Sequence, residues 1–221
     1  MSIGIIGAGN IGSNFARALA KLGISAVISN SRGPESLSSL VQELGPAISA
    51  GTVGEAASAD IVIAALPWRA AEKVFSELPA WNGRIIIDCT NPIGVLDPAS
   101  PEGSDPGNPL AAYGLQPIDL GGRTSSEVFA QFVPAARVVK AFNHIGIEGL
   151  TEPQVGGGKR VIFISGDDAS AKAEVQKLIE AMGAFPVDLG TLHIGGLLAS
   201  FPFGVLADDH FIKIGANNSL D

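Results

Sequence analysis

The chain holds one cysteine, three histidines and few charges, and each scarcity removes a class of function. Cys89 alone forms no internal disulfide and cannot supply the clustered ligands of a zinc site. His144, His193 and His210 are too scattered along the chain to suggest a metal. Lys and Arg number 14 against 22 Asp and Glu, a net charge of −8 that no basic stripe relieves. Nucleic acid is therefore excluded as an expected partner, because that binding needs cationic side chains to displace counterions. No apolar run reaches the length of a membrane span, so no membrane partner is expected either. The first residues pass straight into a strand pattern, without a basic n-region or a cleavable apolar stretch. The expected setting is cytoplasmic and reduced.

What is present is apolar and rich in glycine. Of 221 residues 46% are apolar and 28 are glycine, with the glycines gathered where strands end. Ser2 to Gly7 reads as a buried strand, and Asn10 to Leu22 as a helix with Ile11, Phe15, Leu19 and Leu22 on one face. Strand patterns follow at Ile24–Ser29, Pro46–Ala50, Asp60–Leu66 and Arg84–Asp88, alternating with helical ones at Pro34–Gly45 and Trp68–Leu78. From Ile93 to Arg123 periodicity fails, and Pro, Gly, Asp and Ser mark a long loop, either a lid or a disordered insertion. Regularity returns with a helix over Ser125–Phe132 and strands over Arg137–Phe142 and Arg160–Ser165. A helix over Asp168–Met182, a strand over Phe185–Asp188 and an apolar helix over Leu192–Leu206 complete the chain. Such alternation predicts an α/β fold with a mainly parallel sheet covered on both faces.

Gly7-Ala8-Gly9-Asn10-Ile11-Gly12 is G-x-G-x-x-G placed after a strand and before a helix. In that context the glycines serve, in order, a tight turn, close approach to a pyrophosphate, and close packing of helix on strand. The fold expected is thus a Rossmann-type doubly wound sheet over residues 1–142, with a short C-terminal α/β extension over 143–221 packed on it. At the end of the second strand, where an NAD site usually carries Asp or Glu, the chain reads Asn30-Ser31-Arg32. No carboxylate there repels a 2′-phosphate, while Ser31 and Arg32 offer hydrogen bonds to one, so NADP(H) is the expected cofactor. Ala65-Leu66-Pro67-Trp68 and Asn91-Pro92 follow further strands and should flank it.

In order along the chain, Gly7–Gly12, Ser31-Arg32, Leu66-Pro67-Trp68, Asp88-Cys89-Thr90-Asn91-Pro92 and Val138-Val139-Lys140-Ala141-Phe142-Asn143 resemble the coenzyme F-420-dependent NADP reductases. Gly166-Asp167-Asp168 and Pro186-Val187-Asp188-Leu189-Gly190 extend the similarity over nearly the whole chain. Related domains occur in membrane metalloreductases, where a similar fold passes electrons from NADPH to a flavin. The resemblance implies an oxidoreductase moving a hydride between NADP(H) and a second, small-molecule redox acceptor such as coenzyme F-420 or a flavin. It also implies that Ala141, Phe142, Asn143 and His144 lie near the nicotinamide. Two stretches differ from that family: the connection over 93–123 is longer, and His193-Ile194-Gly195-Gly196-Leu197-Leu198 replaces a more polar run.

Hydride transfer between stacked rings needs orientation rather than an acid, a base or a nucleophile, so no catalytic side chain is expected beyond His144 as a candidate. The imidazole of His144 could equally be structural, bonding a loop carbonyl. The single tyrosine, Tyr113, is followed four residues later by Pro117, which excludes the Tyr-x-x-x-Lys acid/base pair of short-chain dehydrogenases. The stretch after Phe142 is too short for the helical bundle of imine and hydroxyacid reductases. A non-catalytic NADP-binding sensor or partner module is the alternative reading, and a homodimer is left open.

Overall fold

A computed structural model describes residues 2–97, 107–108 and 110–215. The elements alternate through β1 (Ile3–Ile6), α1 (Asn10–Lys21), β2 (Ala26–Ser29), α2 (Ser38–Leu44), β3 (Ile48–Ala50), α3 (Val53–Ala57), β4 (Ile61–Ala64), α4 (Trp68–Ser76) and β5 (Ile85–Asp88). A hairpin of β6 (Ile93–Val95) and β7 (Leu115–Pro117) precedes α5 (Ser125–Phe132) and β8 (Arg137–Ala141). The chain continues through α6 (Glu148–Thr151), β9 (Gln154–Val155), β10 (Gly158–Gly166), α7 (Ala169–Ala181), β11 (Phe185–Asp188), α8 (Leu192–Ala199) and β12 (Ile212–Lys213).

The main sheet runs β3-β2-β1-β4-β5-β8-β10-β11, with β9 and β12 on the flank of β10. Every pair from β3 to β8 is parallel. Strand β10 then runs antiparallel to β8, and β11 parallel to β10. The result is a mixed, mostly parallel sheet of the Rossmann type, whose strand order reverses at β1. β10 and β11 lengthen that same sheet.

Alternation along each strand divides the core between the two faces. Ile3, Ile5, Ile63 and Ile87 pack with Phe15 and Leu19 of α1 and with α7. Ile6, Val62, Ala64 and Ile86 pack with Phe75, Trp81 and Phe129 beneath α3, α4 and α5. Both faces are covered, so the strands read as unbroken apolar runs. Gly4 lies under α3, where a Cβ would collide with the Ala56 carbonyl.

Element limits agree with expectation to within two residues at most ends; α6, β9 and β12 fall where no element was expected, and four further stretches differ. The expected helix from Pro34 starts as a 3-10 turn over Pro34–Leu37 before α2. Helix α3 has no counterpart in the expected pattern, although Thr52 and Glu55 form a reciprocal capping box at its start. The expected loop over 93–123 contains the antiparallel β6–β7 ladder, whose three-residue strands include Gly94 and Pro117 and leave little pattern. The lid or insertion expected there falls partly on 98–106 and 109, outside the described residues. The helix expected to reach Leu206 stops at Ala199, because Pro202 lacks an amide hydrogen and biases the residue before it away from helix.

Candidate functional site

The three fingerprint glycines occupy three different physical situations. Gly7 sits at φ 106°, and a Cβ on it would strike the Ala65 carbonyl. A Cβ on Gly12 would strike the Gly7 carbonyl. A Cβ on Gly9 would meet nothing within 4 Å, so the backbone there faces open space. The first intrahelical bond of α1 runs from Ser13 N to Gly9 O, leaving the amides of Asn10, Ile11 and Gly12 ahead of it. No acidic residue stands in that first turn, and no side chain caps it. Open amides at the positive end of a helix suit a pyrophosphate.

At the end of β2, Asn30 is spent on its own turn. Its Oδ1 accepts the Arg32 amide at 2.8 Å, and its Nδ2 donates to Ser36 Oγ at 2.8 Å. Asn30 therefore shapes the turn, while Ser31 and Arg32 project from it into solvent. The Arg32 guanidinium makes no ion pair among the described residues.

Gly9, Asn10 and Ile11 line a cleft of about 320 Å³ together with Ala65, Leu66, Pro67 and Trp68 from the turn after β4, and with Cys89, Thr90, Asn91 and Ile93 after β5. The Trp68 indole is largely inside the core, packed at 5.7 Å on the Phe132 ring, and offers the cleft only an edge. The Cys89 thiol is half-buried, and burial first, then the Asp88 charge, push it well above its ordinary range. It is no thiolate nucleophile at neutral pH.

Behind the cleft lies a buried ion pair that sequence reasoning did not single out. β5 and β8 set Asp88 beside Lys140 in register. Lys140 Nζ donates to Asp88 Oδ2 at 2.9 Å and to the Thr90 carbonyl, with both side chains nearly inaccessible. Asp88 Oδ1 accepts the Thr90 amide at 2.9 Å and its hydroxyl at 2.6 Å. Thr90 is thus clamped at its amide, hydroxyl and carbonyl, which fixes the turn that walls the cleft. An Asp and a Lys at the ends of two apolar strand patterns were the available signal.

Ala141, Phe142, Asn143 and His144 are buried and line neither this cleft nor the one described next. Ala141 and Phe142 belong to the core, the latter edge-on to Phe15 at 4.8 Å. Asn143 bonds Asn91 and the Ala199 carbonyl. His144 Nε2 accepts the Phe163 amide at 3.2 Å. Burial pulls its imidazole down to about 4, helped by the Lys140 charge and opposed by a backbone hydrogen bond to Val161. At neutral pH His144 is an uncharged structural group.

A second and larger cleft, about 650 Å³, opens on the other side of Pro92. Pro117, Ile118 and Leu120 of the hairpin side, and Leu197, Phe201, Pro202 and Phe203 after and along α8, give it apolar walls. Gln116, Asp119, Arg123, Thr124, Ser125 and Ser200 supply polar groups. Thr124 caps α5 through a reciprocal box with Glu127. The Glu127 carboxylate is held below its usual range, chiefly by the Thr124 amide, and also meets His193 Nδ1 at 3.2 Å. Thr124-Ser125-Ser126-Glu127 was a legible capping signal, but nothing in the sequence joined it to Phe201–Phe203. Among the described residues no group of His, Cys, Asp and Glu could hold a metal, and no helix is long and apolar enough to cross a membrane.

Comparison with known proteins agrees with this geometry. Residues 2–92 match the family model described as NADP oxidoreductase, coenzyme F420-dependent. The solved structure of the hypothetical protein SMa0349 from Sinorhizobium meliloti is 37% identical, covers 96% of both chains and superposes with a TM-score of 0.82. A structure from Arthrobacter sp. FB24, assigned by name to the F420-dependent NADP reductases, is 27% identical over 87% of this chain and 86% of that one, with a TM-score of 0.67. The metalloreductase STEAP3 of Rattus norvegicus is 28% identical over 209 residues, which are 92% of this chain and 37% of that protein. The chain therefore spans well under half the length of this curated relative. The dinucleotide turn and the strand order agree with these relatives, and residues 2–92 carry the NADP oxidoreductase segment described as coenzyme F420-dependent.

Proposed function

We propose that the protein transfers a hydride between NADP(H) at the Gly7–Gly12 cleft and a flat deazaflavin- or flavin-like acceptor in the adjoining cleft. The observation that carries this reading is the turn Asn91-Pro92-Ile93. Asn91 and Ile93 line one cleft and Pro92 lines the other, so one short turn borders both.

The residues fit a dinucleotide. Gly9 leaves the space a pyrophosphate needs, and the amides at the start of α1 face it. Ser31 and Arg32 hold the 2′-phosphate, the guanidinium through charge-assisted bonds. Leu66, Pro67 and the edge of Trp68 form the apolar side of the cleft, and the clamped Thr90–Asn91 turn forms its floor. When bound, the nicotinamide supplies the hydride chemistry. The protein orients and excludes water, since Cys89 stays protonated, Lys140 stays paired and His144 stays buried and neutral. The apolar walls of the second cleft, with Arg123, Thr124 and Ser125 at one edge, suit a conjugated ring bearing polar substituents.

The test is NADPH oxidation against coenzyme F-420, riboflavin, a quinone and ferric citrate. Turnover with the ring acceptors is expected. NADPH binding without turnover on any of the four would overturn the enzymatic reading and leave a non-catalytic NADP-binding module.

A further inference from the structure

We infer that Asn143 is a positioning residue that passes the state of the cofactor cleft to the acceptor cleft, an inference that rests on the two-cleft reading above. Its side chain is 6% exposed and lines neither cleft, yet it bonds the wall of each. Asn143 Nδ2 donates to Asn91 Oδ1 at 3.2 Å and to the Ala199 carbonyl at 3.0 Å. Asn91 Nδ2 returns a bond to the Asn143 carbonyl at 2.7 Å. Asn91 stands in the turn that lines the cofactor cleft, and Ala199 ends α8. Gly196 and Leu197 of α8, and Ser200 just beyond it, line the acceptor cleft. Both amide hydrogens of one carboxamide are thus used to join the two walls.

The backbone is bent to aim that carboxamide. Phe142 sits at φ 62°, in the left-handed region that bulky residues seldom occupy, and its ring is locked edge-on against Phe15 at 4.8 Å. The strand therefore ends in a sharp turn that sets Asn143 between Asn91 and α8. On the upstream side the Lys140–Asp88–Thr90 clamp ties the start of the Asn91 turn to β5 and β8. Movement of Asn91 against the bound cofactor then reaches the end of α8 through the reciprocal amide pair, while the Pro92 carbonyl, accepting the Ile118 amide at 2.7 Å, ties the same turn to the hairpin side and not to α8. Coupling by hydrogen bonds between rigid elements is physically ordinary, and it is demonstrated only when one site biases the other.

Hydrogen exchange of the full chain, with and without saturating NADP⁺, reads that bias directly and needs no acceptor. Amides over 196–204 should slow at least about fivefold on NADP⁺ addition, the low end of ordinary coupling between sites. In Asn143→Ala the slowing should vanish, while the NADP⁺ dissociation constant from calorimetry stays within about threefold. Asn143→Asp, near-isosteric but unable to donate either bond, should behave alike and replaces the alanine variant should that one fail to fold. No slowing in the unmodified protein that binds NADP⁺, or full slowing in either variant, overturns the inference. Absence of NADP⁺ binding in the unmodified protein overturns the functional reading itself, and this inference with it.

Discussion

The two clefts border one turn and are built in opposite ways. The cofactor cleft is made of backbone: a glycine turn, a helix start and the ends of adjacent parallel strands, stiffened by a buried ion pair. The acceptor cleft is made of side chains carried on a two-stranded hairpin, a capped helix start and the irregular stretch after α8. Strand ends inside a sheet hold their positions because ladders and both core faces hold them. Loop-borne side chains are held by fewer contacts, and they vary at less cost to the rest of the fold.

If the cofactor side is the stiff one, its support should be the costlier to remove. Lys140→Met leaves Asp88 buried and uncompensated, and should cost about 3–5 kcal/mol in urea unfolding at neutral pH. Adding Asp88→Asn should recover much of it. A loss under about 1 kcal/mol, the range of exposed pairs, would end the claim that this pair supports the cleft.

His144 is buried against Phe163 and should tie stability to pH. Its folded imidazole titrates at about 4, below the ordinary value of 6.5, so the unfolded chain binds more protons between these values. Stability should therefore fall as pH drops from 6.5 toward 4, by up to an amount on the order of 3 kcal/mol. His144→Gln should flatten that limb in denaturant titrations at several pH values. Turnover of the same variant should fall by less than about a hundredfold, below the upper range of a positioned acid or base. An unchanged pH limb, or a thousandfold loss, would mean that the imidazole is charged or reactive after all.

Within the cofactor cleft, Arg32→Ala should weaken NADPH binding by about 1.5–3 kcal/mol, the scale of a hydrogen bond to a charged group, and leave NADH nearly unaffected. Equal affinity for the two nucleotides in the unmodified protein would remove the role given to Ser31-Arg32. The smallest effect belongs to the acceptor side. Thr124→Ala removes the α5 cap and should cost about 1 kcal/mol of stability, raising the acceptor KM while leaving the NADPH dissociation constant alone. A change in NADPH affinity as large as that of Arg32→Ala would show that the two clefts are not separately built.

Legibility in the sequence followed the same division. Strand–helix alternation and the glycine turn are readable because their reasons are local: a period, a turn that tolerates φ 106° at Gly7, a helix that must start after Gly9. Gly7 to Gly12, Ala65 to Trp68 and Asn91 come together at the strand ends. Asn30 reads from sequence as a cofactor contact and instead holds its own turn through Ser36, a bond between side chains six positions apart that no period marks. Asn143 and His144 were expected beside the nicotinamide; neither lines a cleft, Asn143 bonding Asn91 and Ala199 behind the walls and His144 bonding the Phe163 amide in the interior. The β6–β7 hairpin is hidden because Gly94 and Pro117 blur strands of three residues.

By itself, then, the sequence determined the doubly wound sheet, the dinucleotide turn and the missing carboxylate after β2. These rest on neighbours within a few positions and on alternation between two buried faces. Tertiary structure alone decided the pairing of Lys140 with Asp88, the amide link from Asn91 through Asn143 to Ala199, and the second cleft. Each joins residues some fifty or more positions apart, and the cleft brings 107–125 against 196–204. Such contacts depend on strand order and on where helices end, and local propensity carries no information about either.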